Sequence, residues 1–134
     1  MPRPVRSRKI CGEPKFREFA PVSGCQGSKE NVILTVDEYE VMRLVDLEKK
    51  THSEAAVNMD ISRTTVTEIY EAAREKITDC IVNGKRLIIQ GGSYWICNGS
   101  TQYFCTKNCE KRRNYIRALK EAKAIKKALE NKES

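Results

Sequence analysis

The chain has 134 residues, of which 40% are apolar and 32% charged, with a formal net charge of +7. That length suits one principal domain with a small annex, and the middle is too apolar for disorder throughout. The longest apolar stretch, residues 87–96, is interrupted by glycines and falls far short of a membrane span, so no membrane partner is expected.

The elements follow in chain order. Residues 1–30 read as a basic, proline-rich arm and loop. All four prolines lie within the first 21 residues, which argues against a long regular element before residue 31. One short strand is expected near Lys15–Phe19. Arg3, Arg6, Arg8 and Lys9 give the arm the charge to lie along phosphates or enter a minor groove.

Residues 31–84 carry three helical patterns. Thr35 with Glu38 forms a capping box, and Tyr39, Met42, Val45 and Leu47 form an apolar face with Leu44 off its centre. Thr51 with Glu54 forms a second box ahead of a short helix rich in Ala, which Asp60 ends in a turn. Ser62 caps a third helix over residues 63–82, stopped by Asn83-Gly84. Val66, Ile69, Ala73, Ile77 and either Cys80 or Ile81 make its buried stripe.

Residues 85–109 hold two short strands, predicted to pair as a hairpin, and a polar loop containing cysteines. Residues 110–134 predict a basic amphipathic helix with Tyr115, Ala118, Leu119, Ala122, Ile125 and Leu129 on one face. That seam is a candidate dimerisation surface. The expected fold is therefore mainly α: a three-helix helix-turn-helix core with a short β-hairpin and a C-terminal basic helix.

The second and third helices are separated by a very short turn, and the first supplies apolar cover, as a helix-turn-helix requires. With Val66 and Ile69 inward, Arg63, Thr64, Thr67 and Glu68 point outward or sideways. Arg63 suits a guanine edge, the threonines a thymine methyl or polar base edge, and Glu68 a cytosine amine or Arg63 itself. Ser62 and Thr51 cap helix starts whose amides can meet phosphate. His52 and Thr65 are expected beside phosphate or sugar. Both chain ends are basic: residues 1–17 carry six basic side chains against one acidic, and residues 110–134 nine against four. This pattern fits a polyanion, and double-stranded DNA is the expected partner.

Residues 8–94 resemble protein family 0251, small prokaryotic proteins predicted to bind DNA. The distinctive stretches are DEYEVMRLVDLE, SEAAVNMDISRTTV, NGK and GGSY, with RKICGEPKFREFAP at the start. The resemblance implies a helix-turn-helix like the last domain of bacterial sigma factors. Its recognition-helix start falls on Ser62, Arg63, Thr64 and Thr65, and its preceding helix start on Thr51, His52, Ser53 and Glu54. This chain departs from the pattern at His52, usually Gln, at Asp60, usually a turn glycine, and at Glu68, where a basic residue is frequent.

Six cysteines raise the question of a metal. Cys97, Cys105 and Cys109 lie close in sequence, and Cys25 or Cys11 can supply a fourth sulfur. Four thiolates suit zinc or an iron–sulfur cluster. The competing reading is packed, unliganded thiols. One histidine builds no Ser-His-Asp or Cys-His constellation, and no phosphate-cradling glycine motif is present, so an enzyme is not expected. The lack of an apolar leader after the basic start points to the cytoplasm. The reading adopted is a sequence-specific DNA-binding transcriptional regulator. One alternative is an RNA-binding or ribosome-associated protein using Tyr94, Trp95, Tyr103 and Phe104 as stacking surfaces. Another is a thiol- or metal-dependent redox protein or sensor.

Overall fold

Three local hydrogen-bond motifs start the first three helices. In the computed structural model, which describes residues 7–22, 30–100, 106 and 109–132, α1 spans Val36–Met42, α2 His52–Met59, α3 Arg63–Asn83 and α4 Glu110–Lys132. Thr35 and Glu38 close a capping box on α1, Thr51 and Glu54 another on α2, and the Ser62 hydroxyl accepts from Thr65 N at 3.1 Å on α3. Each motif satisfies amides that a helix start leaves without an intrahelical acceptor. Asp60 ends α2 in the left-handed conformation (φ 56°, ψ 46°), and Gly84 does the same for α3. The fold is mainly α with a small β component.

Five short strands complete it: β1 (Arg8–Ile10), β2 (Glu18–Phe19), β3 (Asn31–Leu34), β4 (Arg86–Ile89) and β5 (Tyr94–Ile96). The strands after Gly84 stand where the sequence predicts, but they do not pair as a hairpin. β4 runs between β2, antiparallel, and β3, parallel, while β5 pairs with β1 in parallel. The reason is topological. Parallel strands need a long crossover, and α1 to α3 supply it between β3 and β4. Gly91 and Gly92 (φ 78° and 93°) then turn the chain out of one sheet toward the other.

That turn leans on α1. Val36 N donates to Gly91 O at 3.0 Å, and a Cβ at Gly92 would collide with Asp37 Oδ1 and crowd Thr35 Cβ at 3.1 Å. Asp37 is buried and paired with Arg8 at 3.2 Å, so it has little room to yield. Gly92→Ala is expected to cost about 2 kcal/mol or more, from left-handed strain plus overpacking. A urea melt within about 0.5 kcal/mol of wild type would refute this account.

Two clusters form the core. One joins Val41, Leu44, Ala55, Ala56, Met59, Val66, Ile69 and Cys109; the other joins Ile10, Leu34, Val36, Ala73, Cys80, Leu87 and Ile89. α1 and α3 run through both. In α3 the buried stripe is Val66, Ile69, Ala73 and Cys80, whereas Ile81 faces out. In α1 the phase shifts. A π-helical segment, Arg43–Leu47, continues the helix, with Glu48 N reaching back to Arg43 O at 2.9 Å. The wider turn buries Leu44 completely and leaves Leu47 72% exposed, reversing their expected ranks.

Buried carboxylates on α1 fasten its surroundings. Glu38 meets Lys76 of α3 at 2.6 Å, and Glu40 accepts from Cys11 N at 2.6 Å and from Arg43 Nε at 2.6 Å. α4 is attached mainly at its start. Lys111 Nζ donates to Cys11 O at 2.6 Å, and Lys111 O crowds the open face of Gly99. Among the described residues no helix is long and apolar enough to cross a membrane.

Candidate nucleic-acid interface

α3 is held by its apolar side, which leaves its first turn bare. Val66 is fully buried, while Ser62, Arg63, Thr64 and Glu68 are exposed and Thr65 and Thr67 half-exposed. The turn from α2 is held at Ile61, whose N donates to Ala56 O at 3.0 Å, so α2 and α3 keep a fixed relation. Ser62 and Thr65 spend their hydroxyls on the cap, at 2.8 Å from each other.

The charge of this turn is unusual for a helix start. α1 and α2 have acidic residues in their first turns, matching the positive end of the helix dipole; α3 has none and carries Arg63 there. A cation at that end is unfavourable by about 0.3–1 kcal/mol. An anion brought against it would reverse the sign, since the dipole, the free first-turn amides and the guanidinium would then act together.

His52 and Thr67 were both expected to face nucleic acid, but they face each other. His52 Nδ1 lies 2.9 Å from Thr67 Oγ1, and Thr67 Oγ1 donates to Arg63 O at 3.2 Å. The hydroxyl has one proton, so the geometry assigns the hydrogen of the first contact to His52 Nδ1. The pair ties the start of α2 to the first turn of α3 and takes Thr67 out of free base contact. The His52 ring also meets Tyr70 edge to face at 5.1 Å.

Tyr70, Arg74 and Asp46, not singled out from the sequence, extend this surface. The Tyr70 hydroxyl donates to Asp46 at 2.8 Å, a contact that raises the phenol above its ordinary pKa, with burial adding to it. Arg74 stacks over the Tyr70 ring at 5.3 Å. Their only sequence signal is the spacing of Tyr70 and Arg74 one turn apart on one helix face. With His52, Thr67 and Glu71 they line an open groove of about 550 Å³ beside the exposed turn. Farther along α3, Glu68, Glu71, Glu75 and Asp79 follow at spacings of three and four. Those acids would repel a phosphate backbone, so only the first turns can approach one. Asp79 is already engaged: hydrogen bonds from Lys85 and then Asn83 hold its carboxyl below the usual range.

The basic start of the chain is divided. Arg3 and Arg6 lie outside the described residues. Arg8 and Lys9, read from the sequence as part of a free arm, belong instead to β1. Arg8 pairs with Asp37, and Lys9 is buried with its Nζ 5.8 Å over the Trp95 ring. Pairing with β5 draws them into the fold, because strand formation satisfies backbone groups that an arm leaves to water.

The cysteines divide likewise. Cys25 and Cys105 lie outside the described residues. Cys109 is buried in the helical cluster, with Cys11 against its edge, and the buried Cys97 Sγ accepts from Gly99 N at 3.2 Å. Among the described residues no group of three or more His, Cys, Asp or Glu is arranged to hold a metal ion. Tyr103 and Phe104 also fall outside the described residues. Tyr94 is half-buried with its hydroxyl donating to Glu13 at 3.1 Å, and Trp95 is partly exposed beside Lys9.

Residues 1–97 match the family model described as protein of unknown function DUF134. The chain is 46% identical over 113 residues to a UPF0251 protein of Desulfitobacterium hafniense, covering 84% of this chain and 90% of that one. It is 43% identical over 111 residues to a UPF0251 protein of Caldicellulosiruptor saccharolyticus, covering 83% and 76%. A UPF0251 protein of Methanococcus vannielii is 40% identical over 119 residues, covering 84% and 92%. No solved structure matches the chain significantly.

Proposed function

The chain belongs to the DUF134 family, and from that premise and the exposed turn of α3 we propose that it is a sequence-specific double-stranded DNA-binding protein acting as a transcriptional regulator. One observation carries the reading. The first turn of α3 is bare, cationic and free of acids, while the opposite side of the same helix is locked in the core. A helix so mounted can enter a major groove without unfolding anything. Arg63 and Thr64 are the base-edge candidates, with Glu68 beside them. Ser62 and Thr65 hold the helix start. The His52–Thr67 pair positions the helix, and Arg74 and the amides at the starts of α2 and α3 are phosphate candidates. The net charge of +7 supports the sequence-independent part of the affinity. A dimer would present two such turns to two half-sites.

Selection of bound duplexes from a random pool, followed by titration of the winner, tests this. The expected result is one enriched motif, bound at least about a thousandfold more tightly than scrambled duplex at the same salt. Uniformly weak binding to every duplex removes the regulator reading. Tighter binding to single-stranded or structured RNA replaces it with the RNA-binding alternative.

A further inference from the structure

Among the described residues, α4 buries no side chain. Its apolar stripe, including Leu119, Ile125 and Leu129, is exposed, and residues 110–132 carry nine basic side chains against three acidic. A second unfilled feature lies at the far end of α3. There an apolar groove of about 480 Å³ opens between Phe19, Pro21, Ile77, Ile81 and Leu87. Ile81 on its wall is 77% exposed. Acids flank the groove: Asp79 and Glu30 both reach Lys85 (2.8 and 3.1 Å), and Glu18 pairs with Arg86 at 2.6 Å.

We propose that α4 of one copy docks its apolar stripe in this groove of a second copy, each chain doing so reciprocally. Charge selects the occupant. Pairing α4 with another α4 would set basic flanks against basic flanks, whereas two carboxylates sharing Lys85 leave the groove rim with negative charge to spare. Position excludes the chain's own α4 in the arrangement observed. α4 starts at Cys109 in the cluster around Val66, while the groove borders the other cluster, around Cys80 and Leu87. A 23-residue helix is about 34 Å long, enough to reach past its own domain. Reciprocal docking closes a two-fold dimer with two equivalent contacts and leaves no open site for further growth. The inference does not rest on DNA binding and is tested without DNA.

Sedimentation velocity of the full chain, over a dilution series at micromolar concentration, decides it. Wild type is expected to be a dimer. Ile125→Glu in α4 and Ile81→Glu in the groove should each raise the dissociation constant at least about tenfold. Both side chains are exposed within one copy (63% and 77%), so the variants should keep wild-type circular dichroism and melting. Mixing the two variants should restore pairing, because the α4 of one and the groove of the other are intact. Raising salt from about 50 to about 500 mM should weaken the wild-type dimer. A monomeric wild type overturns the proposal, as does an Ile81→Glu variant that dimerises normally. Failure of the mixture to pair, or a dimer strengthened by salt, also overturns it, the last pointing to like-charged α4 helices in contact.

Discussion

Replacing Arg63 by Ala is expected to cost about 1–3 kcal/mol on the best duplex and far less on a duplex altered at the single base pair that Arg63 reads. The loss should appear as relaxed specificity at that pair, seen by titrating both proteins against a panel of single-site variants. Stability should move little, and upward if at all. Arg63 is exposed, and its charge opposes the dipole of α3 by about 0.3–1 kcal/mol, so removing it relieves the helix. The two readouts therefore point in opposite directions, which a merely structural residue would not produce. An equal loss on every duplex would reassign Arg63 to the phosphates. A loss of binding matched by a loss of fold would end the argument for its role.

Glu40→Ala is expected to remove about 3–5 kcal/mol of folding stability, a large part of the roughly 5–15 kcal/mol a domain of this kind has. The residue is only 2% exposed, and its carboxylate accepts from Cys11 N and from two Arg43 nitrogens, at 2.6 Å from Nε and 3.1 Å from Nη2. Truncation leaves the Arg43 guanidinium with Glu48 at 3.6 Å and strips Cys11 N of its acceptor. It also unties the segment after β1 from α1. Glu40→Gln keeps the shape and one acceptor oxygen, so it should lose less. Denaturant melts of both variants check this ranking. An alanine variant within about 1 kcal/mol of wild type would mean that Arg43 and Cys11 N find other partners at little cost.

The same buried carboxylate illustrates how much of this protein was legible in advance. Glu38 announced itself as the third residue of a capping box, but its bond to Lys76, 38 residues away, did not. Asp37 and Glu40 look from the sequence like ordinary solvated acids, yet both are buried. The candidate interface divides the same way. Arg63, Thr64 and Glu68 could be placed on the open side of α3 from the spacing of Val66 and Ile69 alone. The turning of Thr67 toward His52, and the addition of Tyr70 and Arg74, depend on how α2 lies across α3.

By itself the sequence determined where the first three helices begin, where α3 stops, which face of α3 is apolar and that the last helix is basic. Each is decided within a few residues, by a hydroxyl reaching an amide three positions on, by a glycine's left-handed freedom, or by helical periodicity. Only the tertiary structure decided that β4 lies between β2 and β3, that β5 takes β1 as its partner, and that Leu44 is buried in place of Leu47. Strand pairing joins residues such as Arg8 and Tyr94 through backbone groups that every side chain shares, so local sequence carries no address for it. A one-residue widening of a helical turn likewise leaves little local signal, and takes its place from the packing on either side.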